Sequence, residues 1–401
     1  MSQVVSGYPS AEKLGIMVGS PPPSVMHVNL ANWQLPPWNR WSFLHTREVL
    51  PSANVGRDPE HASSLLEARQ DISGIVYTTP EGATQTLATF LEGSWTDGLI
   101  VVHDGAVIFE SLHNGMRANT RHIAMSVSKS ITSLVIGILV GNNQIDCASP
   151  VTRYVPELVG TAYDGATIQH ALDMEVANSW REDYFSDTTE FWRLDVACGW
   201  LPSREGAAST LFEFICQSQR DGEHGREIQY SSLNPDLLGI IAERVSGLRF
   251  PDLVSEVLWR PSGMEYDADL LVDPGGTAVA DGGYCATLRD FARIGLLMLH
   301  HGESEGRQVV PEQWVSESQR LNSTPFNSMS YGADWPGASY HNQWWRMDGR
   351  SFALGIHGQM IAIDSDADLV VVFLSSPPEP NDAEQRMTQR SIVDGIAKAL
   401  H

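Results

Sequence analysis

The stretch Met125-Ser126-Val127-Ser128-Lys129-Ser130, with the apolar run from Ile131 to Val140 directly behind it, is the strongest structural signal in this chain. Apolar residues recur there at the spacing of one helix face, at Leu134, Val135, Ile138 and Leu139. Gly141 and Asn142 follow, and both residue types end helices by adopting a left-handed backbone. The pattern therefore predicts a buried helix that Ser126 opens and that Gly141 with Asn142 ends.

Ser126 and Lys129 share one face of the first turn of this predicted helix, because residues three apart are neighbours on a helix surface. The N–H groups of a first turn have no partner within the helix, so a hydroxyl, an amine and free donors meet there. A serine hydroxyl is a weak nucleophile at neutral pH, and a lysine assists it only where its surroundings lower the lysine pKa. The spacing alone is a weak indication of catalysis, so other stretches have to support it.

Composition and charge narrow the class of protein. A chain of 401 residues with 42% hydrophobic residues and 12 Trp is typical of a globular protein, and no apolar stretch approaches the ~20 residues that span a bilayer. Met1 to Ser10 lack the basic and apolar regions of a signal peptide, which predicts a cytoplasmic protein. The formal charge of −23 disfavours nucleic acid and anionic membranes as partners and favours a cationic or neutral small molecule.

The cysteines of the chain are Cys147, Cys198, Cys216 and Cys285, and they have no paired spacing. Such a pattern is typical of buried free thiols and not of a disulfide framework or a zinc site. We therefore expect no metal and no cofactor.

Secondary-structure signals place strands near both ends of the chain and helices between them. Asp104-Gly105 inside residues 97–112 predicts a tight hairpin, and Asp364 to Ala367 between the runs Phe352 to Ile363 and Asp368 to Leu374 predicts a second. Helices are predicted from Asn234, as N-cap, to Gly247, from Thr287 to His300, and from Val393 to Leu400.

These elements predict an α/β (α+β) fold in which a central antiparallel sheet is built from the N- and C-terminal segments and flanked by helices. The predicted division is an N-terminal arm of residues 1–30, an α/β domain of residues 31–141 and 286–401, and a mostly helical inserted domain of residues 142–285.

Two further stretches carry groups that suit a cleft beside Ser126. Tyr230-Ser231-Ser232 precedes a helix and can present a phenol and a hydroxyl. Leu354 to Gln359 contains Gly355 and Gly358 within an apolar strand, and a glycine in a strand lets a ligand approach the backbone closely.

Together, in this order, these stretches resemble the serine β-lactamase-like superfamily, in which Ser-x-x-Lys opens a helix after a hairpin. Within it the chain is similar to the 6-aminohexanoate-dimer hydrolases, a branch related to class C β-lactamases and carboxylesterases. The resemblance runs from about Trp33 to the C-terminus. The matching stretches are Pro36 to Trp41, Met125 to Ser130, Leu172 to Met174, Glu182-Asp183-Tyr184, Tyr230 to Ser232, Gly282-Gly283, Gln343 to Trp345 and Gly355 to Gln359.

The resemblance implies a β-lactamase-like fold and a role for each matching position. Ser126 is then the nucleophile, Lys129 helps to deprotonate it, and Tyr230 passes the proton to the leaving amine. The N–H groups of Ser126 and Ile356 form the oxyanion hole. The implied substrate-binding residues are Tyr184 on the scissile amide, Asp195 on a substrate ammonium, Trp345 along the cleft, and Ser232, Asp281, Gly355 and His357.

Two departures from the family pattern bear on the substrate. Asp281, in Ala280-Asp281-Gly282-Gly283, stands where the resemblance leads us to expect Asn. The strand motif lacks the Lys-Thr-Gly of β-lactamases and penicillin-binding proteins, so a substrate carboxylate has no evident partner.

Several functions remain open at this point. The leading expectation is a serine amidohydrolase acting on short linear amides, and the alternatives are an esterase of the same fold, a β-lactamase or D-alanyl peptidase, and a non-enzymatic binding protein. Gly302 to Gly306 also fits Gly-x-Ser-x-Gly, with Ser304 as nucleophile, but that motif needs a strand before it and a helix after it. A homodimer is compatible with the sequence, which does not set the oligomeric state.

Overall fold

The computed structural model describes residues 8–182, 191–328, 330–333, 335 and 337–400. The strands in this part of the chain are β1 (Ser52–Val55), β2 (Leu66–Glu67), β3 (Val76–Thr78), β4 (Thr84–Thr86), β5 (Thr96–His103), β6 (Ala106–Leu112), β7 (His122–Ile123), β8 (Ala268–Leu271), β9 (Tyr284–Ala286), β10 (Glu303–Ser304), β11 (Arg307–Gln308), β12 (Ser339–His341), β13 (Trp344–Met347), β14 (Arg350–Gly355), β15 (Gln359–Asp364) and β16 (Leu369–Ser375).

The α-helices of the same residues are α1 (Asn39–Ser42), α2 (Leu87–Glu92), α3 (Val127–Gly141), α4 (Val151–Tyr154), α5 (Ile168–Leu172), α6 (Phe191–Ala197), α7 (Leu211–Cys216), α8 (Leu233–Ser246), α9 (Phe250–Val254), α10 (Leu288–Leu299), α11 (Glu312–Ser318) and α12 (Ala383–Leu400). None of these helices has the length and apolar character needed to cross a membrane.

A large sheet forms the centre of the molecule and is built from both ends of the chain, as predicted. Its eight strands run in the order β12-β13-β14-β15-β16-β5-β6-β2. The two halves join where β16 pairs with β5, with Val371 opposite Val101. All neighbours are antiparallel except β2 and β6, so the sheet is mixed at one edge. Both faces are covered by buried apolar side chains, because helices pack on each of them.

Both predicted hairpins are confirmed, since Asp364 to Ala367 lead from β15 into the antiparallel β16, but the strand predicted before the second one is in fact two strands. Asp104 and Gly105 have φ of 48° and 70° and connect β5 to β6. The run from Phe352 to Ile363 was predicted as one strand, which is wrong, because the chain reverses at Ile356–Gly358 into β14 and β15. A local signal is present in Gly355, His357 and Gly358, of which His357 and Gly358 adopt φ of 57° and 74°, but the prediction of a continuous strand assigns these glycines to the close approach of a ligand.

α3 confirms the predicted buried helix, but the residue with a left-handed backbone after it is not one of the two predicted. Asn143, with φ of 59°, takes the left-handed conformation, whereas Gly141 is still helical. Gly141 serves packing instead, since a Cβ there would lie 2.4 Å from Pro311 Cγ. A Cβ on Gly137 would lie 2.3 Å from the Trp314 ring, so these glycines let α11 and the segment before it approach α3.

The other predicted helices exist with adjusted boundaries. α8 begins at Leu233 with Ser232 as N-cap, two positions before the predicted Asn234, and ends at Gly247 with φ of 71° as predicted. α10 has the predicted N-cap, because the Thr287 side chain accepts a hydrogen bond from the Asp290 N–H. The C-terminal helix α12 begins at Ala383, well before the predicted Val393.

A second sheet links the segment 142–285 to the rest of the protein. Its order is β1-β8-β9-β7, so β8 and β9 pair with strands that lie outside this segment. β7 leads directly into the turn before α3, and β9 follows Gly283. The small sheet therefore holds the start of α3 beside the chain around residue 281. The division of the chain into an arm and two domains stays a prediction.

Candidate active site

Ser126 is presented by a tight turn between β7 and α3. Met125 has φ of 48°, in the left-handed region that a side chain rarely adopts, and Ser126 is the N-cap of α3. Its side chain makes no capping hydrogen bond, so the helix does not occupy the hydroxyl. Ser126 is half-buried between fully buried neighbours. The turn thus holds one hydroxyl at the edge of the core with its oxygen available for chemistry.

Lys129 lies one turn into α3 and is only 1% exposed. Its Nζ lies 2.8 Å from Ser126 Oγ and 2.9 Å from Ser232 Oγ. The same nitrogen lies 3.1 Å from the main-chain oxygen of Asp281 and 3.4 Å from Asp281 Oδ2. The structure therefore brings together the predicted pair Ser126 and Lys129 and adds Ser232 and Asp281 to it.

Tyr230 closes the other side of this group. Lys129 Nζ lies 5.1 Å from the centre of the Tyr230 ring, and the phenol is buried. Burial, followed by the negative charge of Glu182, raises the pKa of Tyr230 well above its usual value, while a hydrogen bond with Ser126 acts in the opposite direction. A neutral phenol beside the Ser126 hydroxyl can donate its proton and then be reprotonated.

The predicted oxyanion donors lie on two backbone segments in direct contact. The Ser126 N–H precedes the hydrogen-bonded part of α3, and Ile356 comes directly after Gly355, whose pairing with Gln359 is the last of the β14–β15 ladder. A Cβ on Gly355 would lie 2.7 Å from the Ala124 oxygen and 3.1 Å from Met125 Cβ. Glycine is thus required for β14 to reach the Ser126 turn, which places Gly355 in the framework of the site.

An aromatic wall supports Tyr230 from behind. Trp345, on β13, is 1% exposed and stacks on Tyr230 at a centroid distance of 5.7 Å. Trp335 and Phe326 cover other parts of the same indole, at 4.6 and 5.8 Å. These contacts fix the Tyr230 ring, and they place the predicted cleft residue Trp345 in the wall.

Three acidic residues surround the group formed by Ser126, Lys129 and Tyr230. Glu182 accepts hydrogen bonds from the Ser232 N–H at 2.6 Å and from Ser232 Oγ at 2.9 Å. Burial, with a smaller part from Asp281, raises the pKa of Glu182 to about 7 against the attraction of Lys129. Sequence reasoning assigned no role to Glu182, and its only signal was the match of the block Glu182-Asp183-Tyr184.

Asp195 lies on α6 and is half-buried. Burial raises its pKa to about 7, the charges on Asp281 and Glu182 act in the same direction, and a hydrogen bond with Gln34 opposes them. These mutual effects place Asp195 close to the acidic residues beside Lys129. A cation bound there would relieve the repulsion between them.

His357, for which the resemblance implied substrate binding, is buried beside Phe43, and its role toward a substrate stays a prediction. Its Nδ1 lies 3.0 Å from the Pro377 oxygen, its ring packs on Phe43 at 5.0 Å, and burial lowers its pKa to about 4. It is a neutral core residue that supports the turn after β14. Tyr184 lies outside the described residues.

Ser304 is not presented as a nucleophile. It lies on β10, in a short hairpin with β11, and its hydroxyl donates a hydrogen bond to the Ser262 oxygen at 3.0 Å. Neither the strand nor the helix that the Gly-x-Ser-x-Gly motif needs flanks it, because the segment before it is α10 and the segment after it is a turn.

Comparison with known proteins points to one family. The family model of beta-lactamase matches residues 83–393. A 6-aminohexanoate-dimer hydrolase of Paenarthrobacter ureafaciens is 36% identical over 376 residues, which are 92% of this chain and 94% of the relative.

Solved structures share the fold. A provisionally named 6-aminohexanoate-dimer hydrolase from Bacillus anthracis superimposes with a TM-score of 0.86 at 28% identity, covering 94% of this chain and 98% of that one. A family VIII carboxylesterase superimposes with a TM-score of 0.58 at 12% identity, covering 75% and 93%, which is a likeness of fold alone.

Proposed function

The chain belongs to the beta-lactamase family, and we propose that it is a serine hydrolase that cleaves short linear amides of the 6-aminohexanoate-dimer type through an acyl-enzyme on Ser126. One observation carries the proposal: Lys129 Nζ, buried, lies 2.8 Å from Ser126 Oγ beside the Tyr230 ring. The predicted amide substrate agrees with the name of the Paenarthrobacter relative, which is similar over most of both chains.

The first step is the attack of Ser126 Oγ on the amide carbonyl carbon. The hydroxyl proton passes to Lys129 Nζ in its neutral form, which Ser232 and the Asp281 oxygen hold in place. The carbonyl oxygen becomes an oxyanion, and the N–H groups of Ser126 and Ile356 donate to it. Such donors contribute about 10²–10³ each in rate because they are fixed before the charge develops.

The second step is the breakdown of the tetrahedral intermediate. The bond to the amide nitrogen breaks, and Tyr230 delivers a proton to that nitrogen so that it leaves as an amine. Lys129 restores the phenol proton, and the acyl group remains on Ser126 Oγ. Water then attacks the acyl carbon, with its proton taken by the same residues, and releases the acid.

Acidic residues favour substrates that carry an ammonium group on the acyl side. Asp281 raises the pKa of Glu182 and of Asp195, and Glu182 also raises that of Asp195, so a substrate cation has several carboxylates to approach. Asp195 is the half-buried member and is the proposed partner, since Asp281 is engaged with Lys129. The predicted contact of Tyr184 with the amide also stays a prediction.

The test is an activity panel on purified protein and its Ser126→Ala variant. Wild type is expected to hydrolyse the aminohexanoate dimer, and Ser126→Ala is expected to be inactive yet folded, because the hydroxyl caps nothing. A fluorophosphonate probe is expected to label Ser126 both in wild type and in a Ser304→Ala control. Mass spectrometry of the labelled peptide locates the modified serine.

Other results of the panel would redirect the proposal. Turnover of p-nitrophenyl esters without turnover of the amide would favour the alternative of a carboxylesterase, and turnover of nitrocefin alone would favour a β-lactamase. An active Ser126→Ala variant, or labelling at Ser304, would contradict the assignment of the nucleophile. The cytoplasmic location and the homodimer stay predictions, to be checked by cell fractionation and sedimentation.

A further inference from the structure

A second buried cluster lies beneath Lys129, and the hydrolysis as written does not use it. Asp236 on α8, Asp281, and Cys198 at the end of α6 each place one oxygen or sulfur atom within 4.8 Å of the other two. Within the described residues this is the only such group of histidine, cysteine and acidic side chains. All three residues are buried, with Asp236 at 0% and Asp281 at 7% exposure.

Each carboxylate of this cluster has one oxygen that is bonded and one that is not. Asp236 Oδ1 accepts a hydrogen bond from the Asp281 N–H at 3.0 Å, and Asp281 Oδ2 lies 3.4 Å from Lys129 Nζ. Asp236 Oδ2 and Asp281 Oδ1 are buried without a hydrogen-bond partner among the described residues. Buried polar atoms without partners are rare because each loses its hydration and gains nothing. A proton held between the two carboxylates would give these oxygens a partner.

The charges of the cluster favour such a proton. Lys129 is the only cation that forms an ion pair with either carboxylate in the described part of the chain. Even with Lys129 protonated, two ionised carboxylates would leave one buried negative charge uncompensated, and with Lys129 neutral, as the attack of Ser126 requires, they would leave two, which is costly. A single proton on Asp236 lowers that charge by one and turns one of its oxygens into a donor for the neighbouring carboxylate of Asp281, an oxygen of which lies within 4.8 Å of an Asp236 oxygen. Burial and the Asp281 charge raise the pKa of Asp236 well above its usual value, which agrees with this state.

A metal ion fits the cluster less well than a proton. Burial and the neighbouring carboxylates raise the pKa of the Cys198 thiol well above its usual value, so the sulfur keeps its proton and is a poor ligand. A divalent cation would also lie beside the Lys129 ammonium and repel it. The remaining charged or titratable groups that face the pair are Tyr163, which the charge of Asp236 affects, and Glu182 and Asp195, which act on Asp281.

We propose that Asp236 and Asp281 form a carboxylate pair that shares one proton, and that this pair holds Lys129 Nζ against Ser126 Oγ. The catalytic part of this inference rests on the proposed function. Asp236 touches neither Ser126 nor the substrate position and acts through Asp281, so it is a positioning residue. The shared proton keeps Asp281 oriented with both its carbonyl and its carboxylate toward the amine.

The first test compares Asp236→Asn with Asp236→Leu, two side chains of similar shape. Asparagine can donate to Asp281 as the protonated acid does, so its kcat and KM are expected to stay within about twofold of wild type at neutral pH. Leucine cannot donate, and its kcat is expected to fall at least about tenfold at unchanged KM, because only the alignment of Lys129 is lost. At alkaline pH wild type loses activity as Asp236 ionises, whereas Asp236→Asn is expected to lose it at higher pH.

The second test does not depend on activity. At pH 8, where Glu182 and Asp195, with pKa values of about 7, are mostly ionised, the infrared spectrum of wild type is expected to contain the carbonyl stretch of a buried protonated carboxylic acid, and Asp236→Asn is expected to remove that band. This readout holds even if none of the substrates is turned over, so failure of the proposed function and failure of the shared proton are distinguishable. Because the infrared test uses only wild type and Asp236→Asn, it also tests the proposal if Asp236→Leu does not fold.

Three results would overturn the proposal. The first is that Asp236→Asn loses as much kcat as Asp236→Leu, which would mean that ionised Asp236 is needed. The second is an infrared spectrum that does not change on Asp236→Asn. The third is that purified wild type contains one equivalent of a metal, measured by elemental mass spectrometry, and that Asp236→Asn does not.

Discussion

Lys129 is a buried amine whose contacts are nearly all with groups that can hold or pass a proton. Because Lys129 and Tyr230 act on proton transfer, Lys129→Ala and Tyr230→Phe are expected to lower kcat by about 10²–10⁴ with little change in KM. Steady-state kinetics on the amide dimer measures both constants. Tyr340→Phe is the matched control, since Tyr340 packs on Tyr230 at 5.7 Å and is expected to keep kcat. A variant of Lys129 or Tyr230 that only raised KM would make that residue a binding group.

The protonation of Glu182 makes the free energy of unfolding depend on pH. The pKa of Glu182 is about 7 in the folded protein, compared with its ordinary value of 4.5, so the folded state binds the proton more tightly than the unfolded state does. That proton stabilises the folded state fully below pH 4.5, and this stabilisation is lost as the pH rises through about 7. Glu182→Gln has no such loss, and its Tm relative to wild type is expected to increase between pH 5 and pH 8. Thermal unfolding at both pH values, with the exposed Glu256→Gln as control, measures the difference, and a constant difference would contradict the raised pKa.

At the scale of elements, the approach of β14 to the turn before α3 decides whether the oxyanion donors meet. Gly355→Ala would place a Cβ 2.7 Å from the Ala124 oxygen, which is backbone and cannot rotate away. The strand has to move outward, so kcat is expected to fall by about tenfold or more while the protein remains folded. Kinetics and circular dichroism measure the two effects. Gly74→Ala is the control, because a Cβ on Gly74 meets nothing within 4 Å. Equal activity of the two variants would remove β14 from the oxyanion site.

At the scale of the whole molecule, the formal charge is −23, and Glu182, Asp195 and Asp281 place carboxylates at the site itself. Substrates with a free ammonium on the acyl side are therefore expected to exceed their N-acetyl forms in kcat/KM by roughly tenfold or more at low salt. Because burial raises the pKa of Asp195 to about 7, its charge appears as the pH rises through that value, and the preference is expected to grow from pH 6 to pH 8.

The measurement is kcat/KM for both substrates at two ionic strengths, in wild type and in Asp195→Asn. High salt and Asp195→Asn are each expected to reduce the preference, and the exposed Asp252→Asn is the control that removes the same charge elsewhere. Equal rates for both substrates in wild type would refute the charge argument and favour the esterase alternative.

The sequence by itself determined the local parts of this protein. The helix behind Ser126 and the Asp104-Gly105 hairpin follow from apolar periodicity and turn residues, which act over a few positions. The order of strands and helices along the chain, and no local pattern, predicted one sheet from both chain ends. The three stretches that carry Ser126, Tyr230 and Ile356 were found through their resemblance to a family and were brought to one place as expected.

Only the tertiary structure decided the surroundings of Lys129 and the turn after β14. Asp281 lies 152 positions from Lys129, and Glu182 lies 50 positions from the Ser232 that it binds, so no local spacing could pair them. The turn at Ile356–Gly358 has only His357 and Gly358 as a local signal, and because β14 and β15 are both buried in one sheet, the apolar residues continue on either side of it. Short-range patterns record hydrogen bonding and burial along one element, whereas the charges and contacts of a site depend on which elements pack together.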